Sequence, residues 1–310
     1  MARKRAARSD DAGPAASRPA VVVAAFGRHF LVADDDAATL TDTALRPAVI
    51  RARRSDCVVG DQVRISVLPD DSAVIESIDP RRNQVTRSND FRSKTIAANV
   101  DQAAVIISGH PALDEALLLR VLIALEAEGI PTLLVATKQD LPTARAALAG
   151  RRTVYEALGY PVIGLSARSE PASLDPLRQR LHGKRTLLLG QSGMGKSTLI
   201  NALVPHADQQ TREISDALSS GRHTTTFTRA FQLGDGGWLI DSPGFQTFEI
   251  SHLSRWQIIH GMPEFRPLLG RCRFNDCSHR DEPACAIRGA EGIDPLRYRL
   301  FTAIEASADG

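Results

Sequence analysis

The sequence predicts a multidomain chain: a small N-terminal β-barrel, a central α/β domain on a parallel sheet, and a mostly α, metal-binding C-terminal region. Three observations predict it. Five runs rich in β-formers crowd into residues 20–78, apolar strands alternate with helical spacing from 96 to about 250, and three of four cysteines fall between 272 and 285.

The first 18 residues are basic, with no apolar stretch behind them, and read as a disordered arm rather than an export signal. The five β-runs are 20–26, 28–33, 47–53, 62–68 and 73–78, separated by turn signals such as Gly27, Gly60-Asp61 and Pro69-Asp70-Asp71. No helical period intervenes, so residues 19–80 suggest a barrel of either the SH3-like or the OB type. Residues 81–95 carry five basic side chains and one acid, and read as a basic linker suited to nucleic-acid contact.

From 96 to 250 the buried strands are AAVIIS (103–108), TLLVAT (132–137), PVIGLS (161–166), TLLLG (186–190) and WLIDS (238–242), with a helix over 116–129. Short continuous apolar runs between helices indicate a parallel sheet covered on both faces. Residues 251–310 are helix- and loop-rich and hold the cysteine cluster.

Composition bounds the function. The chain has 310 residues with 43% hydrophobic and 24% charged, which excludes wholesale disorder. A net charge of +2, from 38 basic and 36 acidic residues, argues against coating nucleic acid by bulk charge. No apolar run approaches the roughly 18 residues of a membrane-spanning helix, so a reducing cytoplasm is expected, where clustered cysteines bind metal rather than form disulfides. Only five of the basic residues are Lys (4, 94, 138, 184 and 196), so their positions are informative.

GQSGMGKS at 190–197 matches GxxxxGK[ST] and lies between an apolar strand and the helix STLINALV. Gly190, Gln191, Ser192, Gly193, Met194 and Gly195 can wrap backbone N–H groups around phosphates at the start of a helix. Lys196 reaches the β- and γ-phosphates, placing it among the catalytic groups, Ser197 ligates magnesium, and Thr198 follows on the helix. The base must be read elsewhere. Thr137, Lys138, Gln139 and Asp140 spell TKQD, which resembles the NKxD motif of GTPases, whose Asp takes two hydrogen bonds that guanine offers and adenine does not. Ser166-Ala167 ends the next strand, as the guanine-backing SA motif does. Thr137 departs from the Asn of NKxD, replacing a tying amide by a hydroxyl, and a weaker nucleotide affinity is expected.

DSPG at 241–244 matches DxxG: Asp241 would hold magnesium through water, and the Gly244 N–H would sense the γ-phosphate. GRHTTT at 221–226 stands where a switch threonine belongs, and Thr225 is the expected magnesium ligand, with Thr224 the neighbouring candidate. The base motifs precede the phosphate motifs, the reverse of an ordinary GTPase. This permuted order, with a barrel before it and a Cys/His cluster after it, resembles the RsgA (YjeQ) family. The shared features include GDQV at 60–63, IAANVDQ at 96–102, GQSGMGKSTLIN, GRHTTT and DSPGF.

The resemblance implies an OB-fold, a circularly permuted P-loop GTPase domain and a zinc domain. It also implies binding of the small ribosomal subunit and its rRNA, a role in late maturation of that subunit, and GTP hydrolysis stimulated by it. The protein is expected to act as a monomer with GTP and Mg2+. Phe245 follows DSPG where Ras-like enzymes carry the water-orienting Gln, so intrinsic turnover is expected to be slow. His223 is the candidate to supply the missing positioning.

Cys272, Cys277, His279 and Cys285 read C-x4-C-x-H-x5-C. Three thiolates and an imidazole close a tetrahedral zinc shell with no open position, so the site is structural. The spacing matches the RsgA pattern at all four positions. Arg271, Arg273 and Arg280 flank the ligands, with Asp276, Asp281 and Glu282 among them. Cys57 reads as a small buried side chain. Two other readings compete: an RNA-binding nucleotide switch with negligible turnover, and a permuted GTPase of large-subunit assembly.

Overall fold

The structure is a computed structural model; it describes residues 17–34, 45–51, 56–88, 93–205, 207, 227–234 and 236–308. The expected arm before residue 17 and the GRHTTT segment, with His223, Thr224 and Thr225, therefore lie outside the described residues.

Five strands form the N-terminal unit: β1 (Arg18–Phe26), β2 (His29–Asp34), β3 (Leu45–Ile50), β4 (Gln62–Val67) and β5 (Ala73–Ile78). They pair in the order β1-β2-β3-β5-β4, and β4 returns to β1 to close the barrel, which selects the OB type over the SH3-like alternative. Alternation decides what fills it: Ala20, Val22, Phe30, Val32, Val63 and Ile65 point inward and are at most 1% exposed. Cys57 joins that core, and burial pushes its thiol up to about 12, so it is un-ionised and inert at neutral pH. A register shift in β1 between Val22 and Ala24 lets the strand's far end leave the barrel.

Residues 81–95 differ from the linker expected of them. They carry β6 (Gln84–Ser88) and enter β7 (Ser93–Ala98), which form an antiparallel hairpin. The charge run masked a half-buried strand pattern, because Val85 and Ile96 to Ala98 are buried while Arg87 and Lys94 face each other across the ladder.

The central sheet runs β10-β9-β8-β11-β13-β12, from β8 (Gln102–Ile107), β9 (Thr132–Ala136), β10 (Val162–Gly164), β11 (Arg185–Gly190), β12 (Thr228–Gln232) and β13 (Trp238–Asp241). The first five in that order are parallel and β12 is antiparallel to β13. Helices α1 (Glu115–Ala127), α2 (Pro142–Ala157), α3 (Asp175–Leu181) and α4 (Lys196–Leu203) are its crossovers. The chain winds from β8 to β10 in one direction and from β11 to β13 in the other. The crevice between the ends of β8 and β11 is thus a topological switch point, where open α/β sheets bind ligands. Strand β12 was not anticipated, since Arg229 interrupts its apolar pattern; the side chain is buried with its guanidinium 4.9 Å above the Phe231 ring. Through Ala24–Arg229 and Ala25–Thr228, β1 pairs with β12 and joins barrel and central sheet.

The C-terminal region holds α5 (Arg255–His260), a 3-10 turn (Pro263–Leu268) and α6 (Pro295–Ala308). Ser254 caps α5 with a capping box completed by Gln257. Arg297, 1% exposed, donates to Glu264, 4% exposed, at 2.6 Å. Arg151 of α2 bridges Glu115 of α1 and Asp294 just before α6. The Arg151 bonds fix the C-terminal region to α1 and α2, beside the base-binding strands. Glu264→Gln leaves the Arg297 charge without its counter-ion. It is expected to destabilise the fold by about 3–5 kcal/mol, read as a lower urea midpoint with an unchanged slope.

Candidate nucleotide site and metal centre

The phosphate loop grows directly from β11. Gly190, at the strand's end, lies against β8: a Cβ there would meet the Cβ of Ile106 at 2.9 Å. Gly195 caps α4 at a φ of 96°, a left-handed conformation that L side chains resist. These two glycines let the backbone turn beneath the helix start, with Lys196 opening α4.

The base motif ends β9 and is tied to that loop. The Thr137 hydroxyl donates to the Met194 carbonyl at 2.6 Å. Lys138, at a φ of 58°, donates from Nζ to the carbonyls of Gly193 at 2.9 Å and His110 at 2.8 Å. The hydroxyl that replaces the expected amide therefore still makes a bond between base loop and phosphate loop. Ser166 accepts the Asp140 N–H at 2.8 Å, and hydrogen bonding from its hydroxyl holds the exposed Asp140 carboxyl below the usual carboxylate range. Asp140 is thus a ready anionic acceptor at neutral pH. Gln139 folds back, its side-chain amide donating to the Thr137 carbonyl at 3.1 Å.

A cavity of about 430 Å3 opens between these loops, lined by Lys138, Asp140, Ala167, Gly193, Gly195 and Thr198 among others. That size accommodates a small polar ligand with one planar ring system. His110 also lines it, and sequence reading missed this contributor. The signal was SGHP at 108–111, turn chemistry at the carboxyl end of a parallel strand. Gly109 is required there, because a Cβ would lie 2.1 Å from the Ala144 carbonyl oxygen.

DSPG leaves the end of β13. The Lys196 ammonium is bonded to the Asp241 carboxylate, and burial pushes the Asp241 carboxyl up while Lys196 opposes the shift. Ser242 donates to the Leu188 carbonyl at 2.9 Å, and a Cβ on Gly244 would stand 3.5 Å from Ser192 Cα. Phe245 is 4% exposed, bridges to Gln191 of the phosphate loop and packs on Phe248 at 5.3 Å between ring centroids. It offers no polar atom to a water. Ser197 and Asp241 are hard oxygen donors, a set that suits Mg2+ and not a soft metal. The third expected donor, Thr225, lies outside the described residues.

Cys272, Cys277, His279 and Cys285 converge, each offering a ligand atom within 4.8 Å of the others. His279 Nδ1 stands 3.5 Å from Cys272 Sγ and 3.6 Å from Cys285 Sγ. Zinc bond lengths and a tetrahedral angle require a sulfur–nitrogen separation of about 3.5 Å, so the cluster fits zinc. The sulfurs also accept backbone N–H groups, Ala286 on Cys272 at 3.3 Å and Arg288 on Cys285 at 3.4 Å, as thiolates do. Tyr298 of α6 donates to the His279 carbonyl at 2.7 Å and anchors the metal loop to the last helix.

Comparison with known proteins gives a consistent picture. The model of the RsgA GTPase family matches residues 78–251. "Small ribosomal subunit biogenesis GTPase RsgA" of Paraburkholderia xenovorans (strain LB400) is 48% identical over 283 residues, covering 89% of this chain and 88% of that protein. The protein of the same name from Ralstonia pickettii (strain 12J) is 44% identical over 289 residues, covering 91% and 90%. Among solved structures, YjeQ from Thermotoga maritima superposes with a TM-score of 0.73 at 26% identity, covering 95% of this chain and 99% of that one. YloQ, described as a circularly permuted GTPase, shares the fold with a TM-score of 0.70 at 24% identity, covering 98% of each chain.

Proposed function

The chain belongs to the RsgA GTPase family, a family of GTP hydrolases, and from that premise we propose that it binds the small ribosomal subunit in the cytoplasm and assists its late maturation, with GTP hydrolysis stimulated by that particle. The observation that carries this reading is the convergence of base loop, phosphate loop and DSPG at one switch point, joined by the bonds of Thr137, Lys138 and Phe245. The permuted chain order does not disturb the site, because strand-end loops meet in space regardless of sequence order.

In this reading Asp140 accepts from guanine while the Lys138 stem and Ala167 flank the ring. Lys196 exchanges its Asp241 partner for the β- and γ-phosphates. Ser197, Asp241 and Thr225 would hold Mg2+, which would neutralise phosphate charge. Asp140→Asn exchanges an acceptor for a donor and is expected to weaken GTP binding by about 10- to 100-fold while improving binding of xanthosine triphosphate. Competition titrations against a fluorescent guanine nucleotide would read both changes; unaltered GTP affinity would remove Asp140 from the base site.

Phe245 leaves the water-orienting position apolar, which supports slow turnover until a partner completes the site. His223 is assigned that positioning role. His223→Ala is expected to bind GTP normally and to hydrolyse it at the unstimulated rate even with small subunits present. Full stimulation of this variant would exclude the residue.

The segment after DSPG offers a route outward. Ser88 of the hairpin forms an antiparallel β-bridge with Glu249, its N–H donating to the Glu249 carbonyl at 2.8 Å and its carbonyl accepting the Glu249 N–H at 3.3 Å, and its hydroxyl lies 2.8 Å from His252 Nδ1. Nucleotide state at DSPG thus has a short covalent and hydrogen-bonded connection to the hairpin and barrel. Co-sedimentation with separated ribosomal subunits tests the reading: the protein should pellet with small subunits in a non-hydrolysable GTP analogue and be released in GDP. Equal pelleting with large subunits would contradict it and favour a role in large-subunit assembly.

A further inference from the structure

Five large hydrophobic side chains are exposed among the described residues: Val49, Leu68, Leu141, Trp256 and Phe274. The two aromatic ones line the same groove, a cavity of about 390 Å3 between α5 and the metal loop. We propose that this groove is a stacking platform for an unpaired RNA base, with Trp256 and Phe274 as its apolar faces and Arg271 and Arg273 as its phosphate contacts. The inference rests on the small-subunit reading and names the form of RNA that this region takes.

Trp256 and His260 stand four residues apart on α5, so their rings share one helix face. They stack at 3.9 Å between centroids with 27° between planes. One face of the indole is therefore covered, yet the residue remains 66% exposed, so the other face is open to solvent. An indole ordered on one side and bare on the other presents a rigid surface at little entropic cost. Phe274 is 41% exposed, and the Arg273 guanidinium lies 5.6 Å from its ring centroid.

Charge selects the occupant. Arg271 and Arg273 are exposed and form no ion pair among the described residues. By contrast, Glu264 is held by Arg297, Glu305 by Arg255, and Glu282 by the N–H groups of Ser278 and Arg280. Glu264 and Glu305 are thus each offset by an arginine, while Arg271 and Arg273, on either side of the groove residue Cys272, keep their charges available to phosphate. Asn275 and Asp276 also line the groove and supply acceptors suited to the amino and imino groups of a base edge. Aromatic faces, free arginines and edge-reading acceptors together fit a nucleotide pulled from its stack. A duplex has no free base face to offer.

The test uses the full-length, zinc-loaded protein and a labelled, unstructured RNA of about 12 nucleotides, with a duplex of the same length as control. Trp256→Ala is expected to weaken single-strand binding by about tenfold or more, to change duplex binding less than about twofold, and to be largely rescued in Trp256→Phe. Zinc content and melting temperature establish that the variants are folded. In the unaltered protein, single-stranded RNA should quench the fluorescence of Trp256, since the other tryptophan, Trp238, is 9% exposed. Unchanged single-strand affinity in Trp256→Ala, an equal loss on the duplex, or no quenching would overturn the proposal. Concentration-dependent dimerisation abolished by Trp256→Ala would assign the groove to a second copy and also overturn it. GTP hydrolysis stimulated by small subunits in the unaltered protein reports on the parent reading separately, so the two can fail independently.

Discussion

Replacing Lys196 with Ala is expected to lower the hydrolysis rate constant by about 10²–10³-fold and to weaken GTP and GDP binding together. The side chain is 10% exposed and bonded to Asp241, whose carboxyl burial pushes up. The site thus sets one cation against one half-buried anion. Phosphates bound at the start of α4 would take the Lys196 ammonium as their counter-ion, and Asp241 would then be free to help hold Mg2+. Without Lys196, no side-chain cation on this loop would offset the Asp241 carboxylate and the phosphates together. Lys196→Arg is expected to remain defective, because a planar fork cannot replace a compact ammonium in a loop this close to backbone. Calorimetric titration with GDP and GTP, followed by single-turnover hydrolysis, measures the two effects. Binding as tight as in the unaltered protein would remove Lys196 from the phosphate site.

The second large effect is loss of the metal. Cys277→Ser, or treatment with a strong chelator, is expected to unfold the loop between α5 and α6 while leaving the barrel and central sheet intact. His279 and Ala284 sit at φ values of 61° and 58°, strained positions for residues with side chains. Few buried apolar groups lie in the metal loop after the 3-10 turn: over residues 269–294, Cys277 and Ile287 are the buried hydrophobic residues. Zinc contributes on the order of 10 kcal/mol to small domains that cannot fold without it, far more than those contacts supply. Trypsin cleavage at the exposed Arg271 and Arg273 should accelerate by roughly tenfold or more, the change expected when local opening is favoured by about 1.4 kcal/mol or more. GTP binding should persist, because the base and phosphate loops belong to the central sheet. Identical proteolysis with and without zinc would show that the loop folds without metal.

The sequence made the architecture readable where one physical signal dominated. Runs rich in β-formers, each bounded by turn residues, marked all five barrel strands. The strands of the central sheet stood out as continuous apolar runs, being covered on both faces. Two elements escaped for opposite reasons. The β6–β7 hairpin hid under its arginines, since a surface hairpin needs only a few buried positions such as Val85 and Ala97. Strand β12 was interrupted by Arg229, a charge that reads as solvent-facing until the strand places it on the same face as Phe231 two residues on.

Motifs located the candidate site, but not how its parts are joined. TKQD and GQSGMGKS are separated by 49 residues of chain, and nothing local predicts that Lys138 donates to Gly193 or Thr137 to Met194. Those bonds depend on β8 and β11 lying side by side, which is a property of the sheet order. Likewise the C-x4-C-x-H-x5-C spacing revealed the ligands, whereas the groove beside them required the fold to bring Trp256 and Phe274 together.

The central claim, a guanine-nucleotide hydrolase switched on by the small ribosomal subunit, is tested most directly by multiple-turnover phosphate release. The full-length, zinc-loaded protein is titrated with purified small subunits, with large subunits and ATP as controls. The account predicts slow basal GTP hydrolysis that rises by about tenfold or more and saturates with small subunits, while large subunits or ATP give no such response. A rate that stays flat across the small-subunit titration would contradict it.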